Sequence, residues 1–357
     1  MFLEYIRHII IFTNKINIMT QSKKKNVTNN RNLGIEILRM ILCFWVVSFH
    51  CLNKNKISYL VFYLTKTKFH HVPCFSFISF YFAYNIFNER NIQYFKRRLE
   101  RLLIPYIIWP LIIFIIDNTL HSLFCFNIKP IYIHDLRFQI LFGRQFIVPL
   151  WFLFAIIFQS IVLFILSNIF KQYFLFVTQL LIICSYIIQY RLKLTFFGRY
   201  KMNVKLPILD SFSIFPLSLF GLNFASLNLM KLFKNNFTKV SILVYLMIYI
   251  FFNFEIFINI GGYNGIIHIY ISLLLFVGFY ILPFENSYSW FQNSIRRITS
   301  YTNGIYCLQS KIIPIVISYF DQNGTLKSSL ISYILLYFIS FCSIKIVGIT
   351  KLKYLFI

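Results

Sequence analysis

Long apolar runs alternate with short basic or turn-rich segments from residue 33 almost to the end of the chain. Each run can cross the roughly 30 Å of bilayer hydrocarbon as a helix, which takes roughly 20 residues. A helix also satisfies its own backbone hydrogen bonds inside lipid. The pattern predicts about ten spans, at 33–52, 73–87, 102–120, 150–170, 173–190, 211–229, 240–258, 265–283, 301–320 and 328–348. The expected fold class is therefore all-α, a polytopic integral membrane protein with about ten transmembrane helices. Its expected organisation is a cytoplasmic N-terminal tail over 1–32, one membrane-embedded domain over 33–348 and a short cytoplasmic tail over 349–357.

Composition agrees. The chain is 59% hydrophobic and 13% charged, with mean hydropathy +0.70, whereas a soluble domain is about 45–50% apolar and about 25% charged. A net charge of +25 raises the question of nucleic acid. The basic residues instead sit in short clusters between apolar spans, with no arm and no aromatic-interleaved patch, so no nucleic-acid partner is expected. Membrane orientation accounts for them: with the N-terminus inside, the cytoplasmic segments carry the excess of Lys and Arg. The basic outer segment 191–205 runs against that bias. Seven cysteines show no C-x-x-C spacing and read as apolar packing residues. The first twenty residues hold one short apolar run, broken by Lys15, and read as neither signal peptide nor span. Met19, before a polar run, is a plausible alternative start.

The first predicted span carries ionisable residues that a bilayer penalises. Arg39 and His50 are eleven positions apart, about 1100° of helical rotation, which puts them within about 20° of one face and about 16 Å apart along the axis. Glu36 stands three residues before Arg39 on the same stripe, where it can neutralise the guanidinium. Two readings compete. Arg39 can snorkel to the cytoplasmic headgroups while His50 sits at the opposite interface. Alternatively, the shared face lines a polar passage with Arg39 near one mouth and His50 near the other, suited to a long phosphorylated ligand.

A second cluster, Lys96, Arg97, Arg98 and Arg101, precedes the third span, with Pro105 just inside it. Arg98 and Arg101 are spaced i, i+3 and predicted to share a face at the cytoplasmic entrance. Positive-inside anchoring explains such a cluster by itself. Together with Arg39 at similar depth it would also suit a nucleotide phosphate such as that of coenzyme A, because the planar guanidinium binds phosphate bidentately.

On these residues the chain resembles the membrane acyltransferase family 3, which includes polysaccharide O-acetyltransferases and fucose 4-O-acetylase-like proteins. The first-helix pattern of that family is met by Glu36, Arg39 and His50, with Glu where Asp is usual. Its Arg-x-x-Arg pattern is met by Arg98 and Arg101, followed by Pro105. His71 at the start of the second span, Trp151 opening the fourth and Gly304 with Ile305 and Tyr306 in the ninth are also similar. The chain departs from the family at Ser79-Phe80, where a Ser-Gly step normally allows close helix packing, and around Gln309, where a histidine is frequent.

The resemblance implies a membrane-bound O-acyltransferase with acetyl-CoA, or another acyl-CoA, as co-substrate and a carbohydrate hydroxyl as acceptor. It implies Arg39, Arg98 and Arg101 on the donor's phosphates and His50 as the catalytic group, supported by Glu36. An imidazole near pKa 6.5 suits a general base. Covalent acyl-histidine and direct transfer both stay open, since no Ser-His-Asp or Cys-His constellation is evident. Asp117, with Glu255 next, is the candidate carboxylate to orient His50, although acids at span ends are usually interfacial. Trp151 and His71 are candidate substrate-binding residues. His70 and His71 point different ways on a helix with no further ligand nearby, so no metal is expected. A polysaccharide exporter using the same passage is the competing reading, although no inverted repeat is evident. The expected location is the plasma membrane, with an internal eukaryotic membrane the alternative.

Overall fold

In a computed structural model of the protein, residues 32–51, 71–124, 133, 136, 140, 151–191, 207–227, 266–282, 284, 287–300 and 338 are described. Among them the architecture is helical. The helices are α1 (Leu33–Cys51), α2 (His71–Asn88), α3 (Ile92–Phe124), α4 (Trp151–Phe170), α5 (Phe174–Arg191), α6 (Pro207–Ser226), α7 (Ile266–Ile281) and α8 (Ser289–Ser300), with a 3-10 turn, Lys171–Tyr173, joining α4 to α5. The predicted spans at 33–52, 73–87, 102–120, 150–170, 173–190, 211–229 and 265–283 each fall on one of α1 to α7. Those at 240–258, 301–320 and 328–348 lie outside the described residues, apart from Phe338.

Local chemistry sets the helix ends. Asn32 caps α1, its Oδ1 accepting from the Ile35 N–H at 3.1 Å. Its Nδ2 donates to the Tyr280 carbonyl at 2.9 Å, so the same side chain ties the start of α1 to the end of α7. Asn91 caps α3 by accepting from Gln93 N–H at 3.0 Å and Tyr94 N–H at 3.2 Å. Just before it Arg90 takes φ 53°, the left-handed conformation that turns α2 back into α3. Helix α3 begins ten residues before the predicted span and continues unbroken for 33 residues through the basic cluster, Pro105 and Pro110. At 1.5 Å per residue that is about 50 Å.

Two glycines permit close helix contacts. Gly221 on α6 lies against the Phe77 carbonyl of α2, and Gly34 on α1 lies against the Phe279 carbonyl of α7; a Cβ at either position would meet backbone. α2 packs most extensively on α6. Phe80 joins a buried cluster with Ala83, Phe87, Phe95, Ile156, Leu163 and Leu219.

Polarity is distributed inside out. Exposed apolar residues recur at helical spacing as Ile104, Ile107, Leu111 and Ile115 on α3, Ile161, Ile165 and Ile169 on α4, and Phe176, Leu180, Ile183 and Ile187 on α5. Gln159, Ser160, Ser167, Thr178, Ser218 and Asn223 are buried between helices. Side-chain hydrogen bonds and small residues joining helices, with apolar stripes outside, are the arrangement that a hydrocarbon surrounding favours. Among the described residues, Trp151–Ser185, 35 residues long, is long and apolar enough to cross a membrane; Ile214–Ser226 and Ile271–Ile281 are shorter apolar helices.

Candidate functional site

The expected ion pair on α1 forms. Arg39 Nη1 lies 3.4 Å from both Glu36 oxygens, with the Glu36 side chain 7% exposed and that of Arg39 28% exposed. Glu36 is in the first turn of α1, where the positive end of the helix dipole favours a carboxylate. Around α1, Ile35, Leu38 and Leu42 face α2 and α7, while Leu33, Ile37 and Met40 face α8. Glu36 and Arg39 occupy the stripe between these two faces.

Arg98 and Arg101 do not share an environment. Arg101 is exposed. Arg98 turns inward, donating from Nη2 to Ser79 Oγ at 2.8 Å, from Nη1 to the Ser79 carbonyl at 3.3 Å and from Nε to Ser160 Oγ of α4 at 3.2 Å. Its guanidinium lies 5.0 Å from the centre of the Phe80 ring. Positions i and i+3 differ by about 60° around a helix, enough here for one to enter the α2–α4 interface and the other to remain outside. Every partner of the Arg98 guanidinium among the described residues is neutral, so its charge is not compensated by any carboxylate there.

The two arginines stand at similar depth. Gly34 of α1 meets Phe279, and one turn earlier on α7 Phe276 packs against Phe77 and Tyr81 of α2, with centroid distances of 5.2 and 4.5 Å. Ser79 lies between those two residues in sequence, about one turn, or ~5 Å, along from the start of α1. That is the level of Glu36 and Arg39. Around α2, Phe77 and Ile78 face α1, α6 and α7, whereas Phe80, Ala83 and Phe87 face α3 to α6. Ser79 and Phe82 lie on the remaining side, and Phe82 is 55% exposed. Arg98 of α3 reaches this side of α2 at Ser79.

The remaining predicted residues fall as follows. His50 is the penultimate residue of α1, His71 the first of α2, and Asp117 lies in the last third of α3. Trp151 opens α4 buried against Val72, Ala155, Ile214 and Leu217. Glu255 and His70 lie outside the described residues. Among the described residues no group of three or more His, Cys, Asp or Glu comes together.

Sequence reading missed a buried polar seam beside Arg98. Ser76 and Ser218 hydroxyls are 2.5 Å apart, Ser218 donates to Gln159 Oε1 at 2.6 Å, and Gln159 Nε2 donates to the Ser211 carbonyl at 2.7 Å. Asn223 and Thr178 join α6 to α5 at 3.0 Å. The signal available was an amide, Gln159, inside an otherwise apolar span.

With this geometry in hand, the chain matches the model of the acyltransferase 3 family, described as an acyltransferase domain, over residues 32–350. No match is found among curated proteins. Nor is there one among solved structures. The family match begins at Asn32, the α1 cap, and includes Glu36, Arg39, His50, Arg98, Arg101 and Trp151. The chain belongs to the membrane-associated acyltransferase 3 family and carries an acyltransferase domain.

Proposed function

We propose that the protein spans a membrane about ten times, with both termini in the cytoplasm, and transfers an acyl group, acetyl by default, from cytoplasmic acyl-CoA to a carbohydrate hydroxyl on the other side. The plasma membrane is the proposed location. The observation that carries the donor assignment is Arg98, a partly buried cation with only neutral partners among the described residues. A buried charge is costly unless paired, and a phosphate arriving beside Ser79 would complete the pairing.

In this reading Arg39, Arg98 and Arg101 hold the donor's phosphates at the end of the bundle where α1 begins. The extended pantetheine arm then follows α1 towards His50, a span of about 16 Å. His50 takes the proton from the acceptor hydroxyl as its oxygen attacks the thioester carbonyl carbon. The C–S bond breaks, the ester forms, and the proton passes to the departing CoA thiolate. Glu36 keeps Arg39 extended along the stripe. Trp151, His71 and Asp117 are assigned to the acceptor end, the last to orient His50.

Purified protein incubated with labelled acetyl-CoA and candidate glycans tests this reading. Labelled glycan is the expected product. Glycan movement across a reconstituted membrane without modification would point to an exporter, and neither product nor movement would overturn both activities.

A further inference from the structure

α8 is amphipathic, with Phe291, Ile295 and Ile298 on one side and Ser289, Asn293, Arg296 and Arg297 towards the other. Through Ile295 it packs on Leu33 and Ile37, the α1 residues that bracket Glu36 in sequence. α8 is therefore a wall of the stripe that holds the Glu36–Arg39 pair, with α2 the wall on the other side.

Arg296 follows Ile295 directly. Its Nε is buried and has no hydrogen-bond partner among the described residues, although the side chain as a whole is only partly buried. Buried donors without partners are rare in folded proteins and unfavourable, and an ordered water, an ion or a ligand group is what completes such a donor. Nε is one of the two donors with which a guanidinium grips a planar carboxylate or a phosphate side-on. Glu36, the acidic residue on the adjoining stripe, is already held by Arg39. Among the described residues no acidic group is paired with Arg296.

We propose that Arg296 is a phosphate-binding residue, donating from Nε and one Nη to a single phosphate group at the α1–α8 wall. The phosphate can belong to the acyl donor, an assignment that rests on the acyl-CoA reading above, or to an anionic lipid headgroup, which does not. In either case the site is distinct from Arg98, which lies across α2 on α3.

Full-length protein in phosphatidylcholine nanodiscs tests the first source by titration with CoA and with adenosine 3′,5′-bisphosphate. Spin-labelled phosphatidylglycerol, read as the immobilised fraction, tests the second. Arg296→Gln is expected to lose at least about tenfold in nucleotide affinity or to lose the immobilised lipid component, and whichever is lost identifies the source. If both are unchanged in a variant with a wild-type unfolding midpoint, the proposal is overturned. Should Arg296→Gln not fold, Arg296→Lys, which keeps the charge but lacks Nε, is read by the same two measurements. If the wild type binds no CoA at all, the donor reading fails while the lipid measurement still decides for or against Arg296.

Discussion

The Arg98 guanidinium sits 5.0 Å from the centre of the Phe80 ring, which is itself fully buried. A desolvated cation over an aromatic face gains about 0.5–2 kcal/mol. Phe80 therefore fixes where Arg98 points as well as filling the core. Phe80→Leu keeps most of the volume and removes the π face. It is expected to raise KM for the acyl donor about three- to thirtyfold with kcat little changed. Steady-state kinetics read the split, and an unchanged KM would reduce Phe80 to packing alone.

Arg98 and Arg101 should differ sharply when truncated. Arg98 makes three hydrogen bonds to neutral groups in an interhelical site, whereas Arg101 is exposed. Arg98→Ala is expected to weaken CoA binding at least about thirtyfold. Arg101→Ala should cost less than about fivefold, the usual scale for an exposed charge. Isothermal titration in detergent distinguishes them, and equal losses would mean that burial does not set how much each arginine contributes to phosphate binding.

His50→Ala and Arg39→Ala should each abolish acyl transfer while leaving expression and membrane insertion intact. Arg39→Ala also leaves Glu36 buried without its cation, so its unfolding midpoint should fall, whereas that of His50→Ala should not. Full turnover by the His50 variant would remove the histidine from the mechanism.

Gly221→Ala tests the α2–α6 contact. The added Cβ would collide with the Phe77 carbonyl, and neither helix backbone can yield as a flexible side chain would. Overpacking of this kind costs about 1–3 kcal/mol. A lower unfolding midpoint is expected, and a midpoint equal to wild type would show that the helices are further apart than described.

Seven helices were legible from apolar run length alone, because a run that must cross hydrocarbon leaves a continuous signature whatever its partners. The early start of α3 was not, since Lys96, Arg97, Arg98 and Arg101 look like a solvated boundary until Asn91 is seen capping the helix before them. α8 escaped for a related reason: with Gln292, Asn293, Arg296 and Arg297 in twelve residues, it has no spanning signature. On α1, helical periodicity correctly put Glu36 beside Arg39. On α3 the same periodicity put Arg98 and Arg101 together, but tertiary packing separated them. Spacing fixes angle around one helix, while the identity of the neighbouring helix decides which of two nearby angles is inside.

Asn32 sets the phase of the entire first helix. Its Oδ1 fixes where α1 begins and its Nδ2 fixes that beginning against the Tyr280 carbonyl, so every later residue of α1 is counted from one anchored origin. One residue inserted between Asn32 and Glu36 would rotate all that follows by about 100° and advance it by about 1.5 Å. The carboxylate, the guanidinium and the distant imidazole position would swing round together, each keeping its neighbours on α1 and losing its neighbours elsewhere. The proposed alignment of donor end and acceptor end thus depends on an uncharged amide that need touch neither substrate.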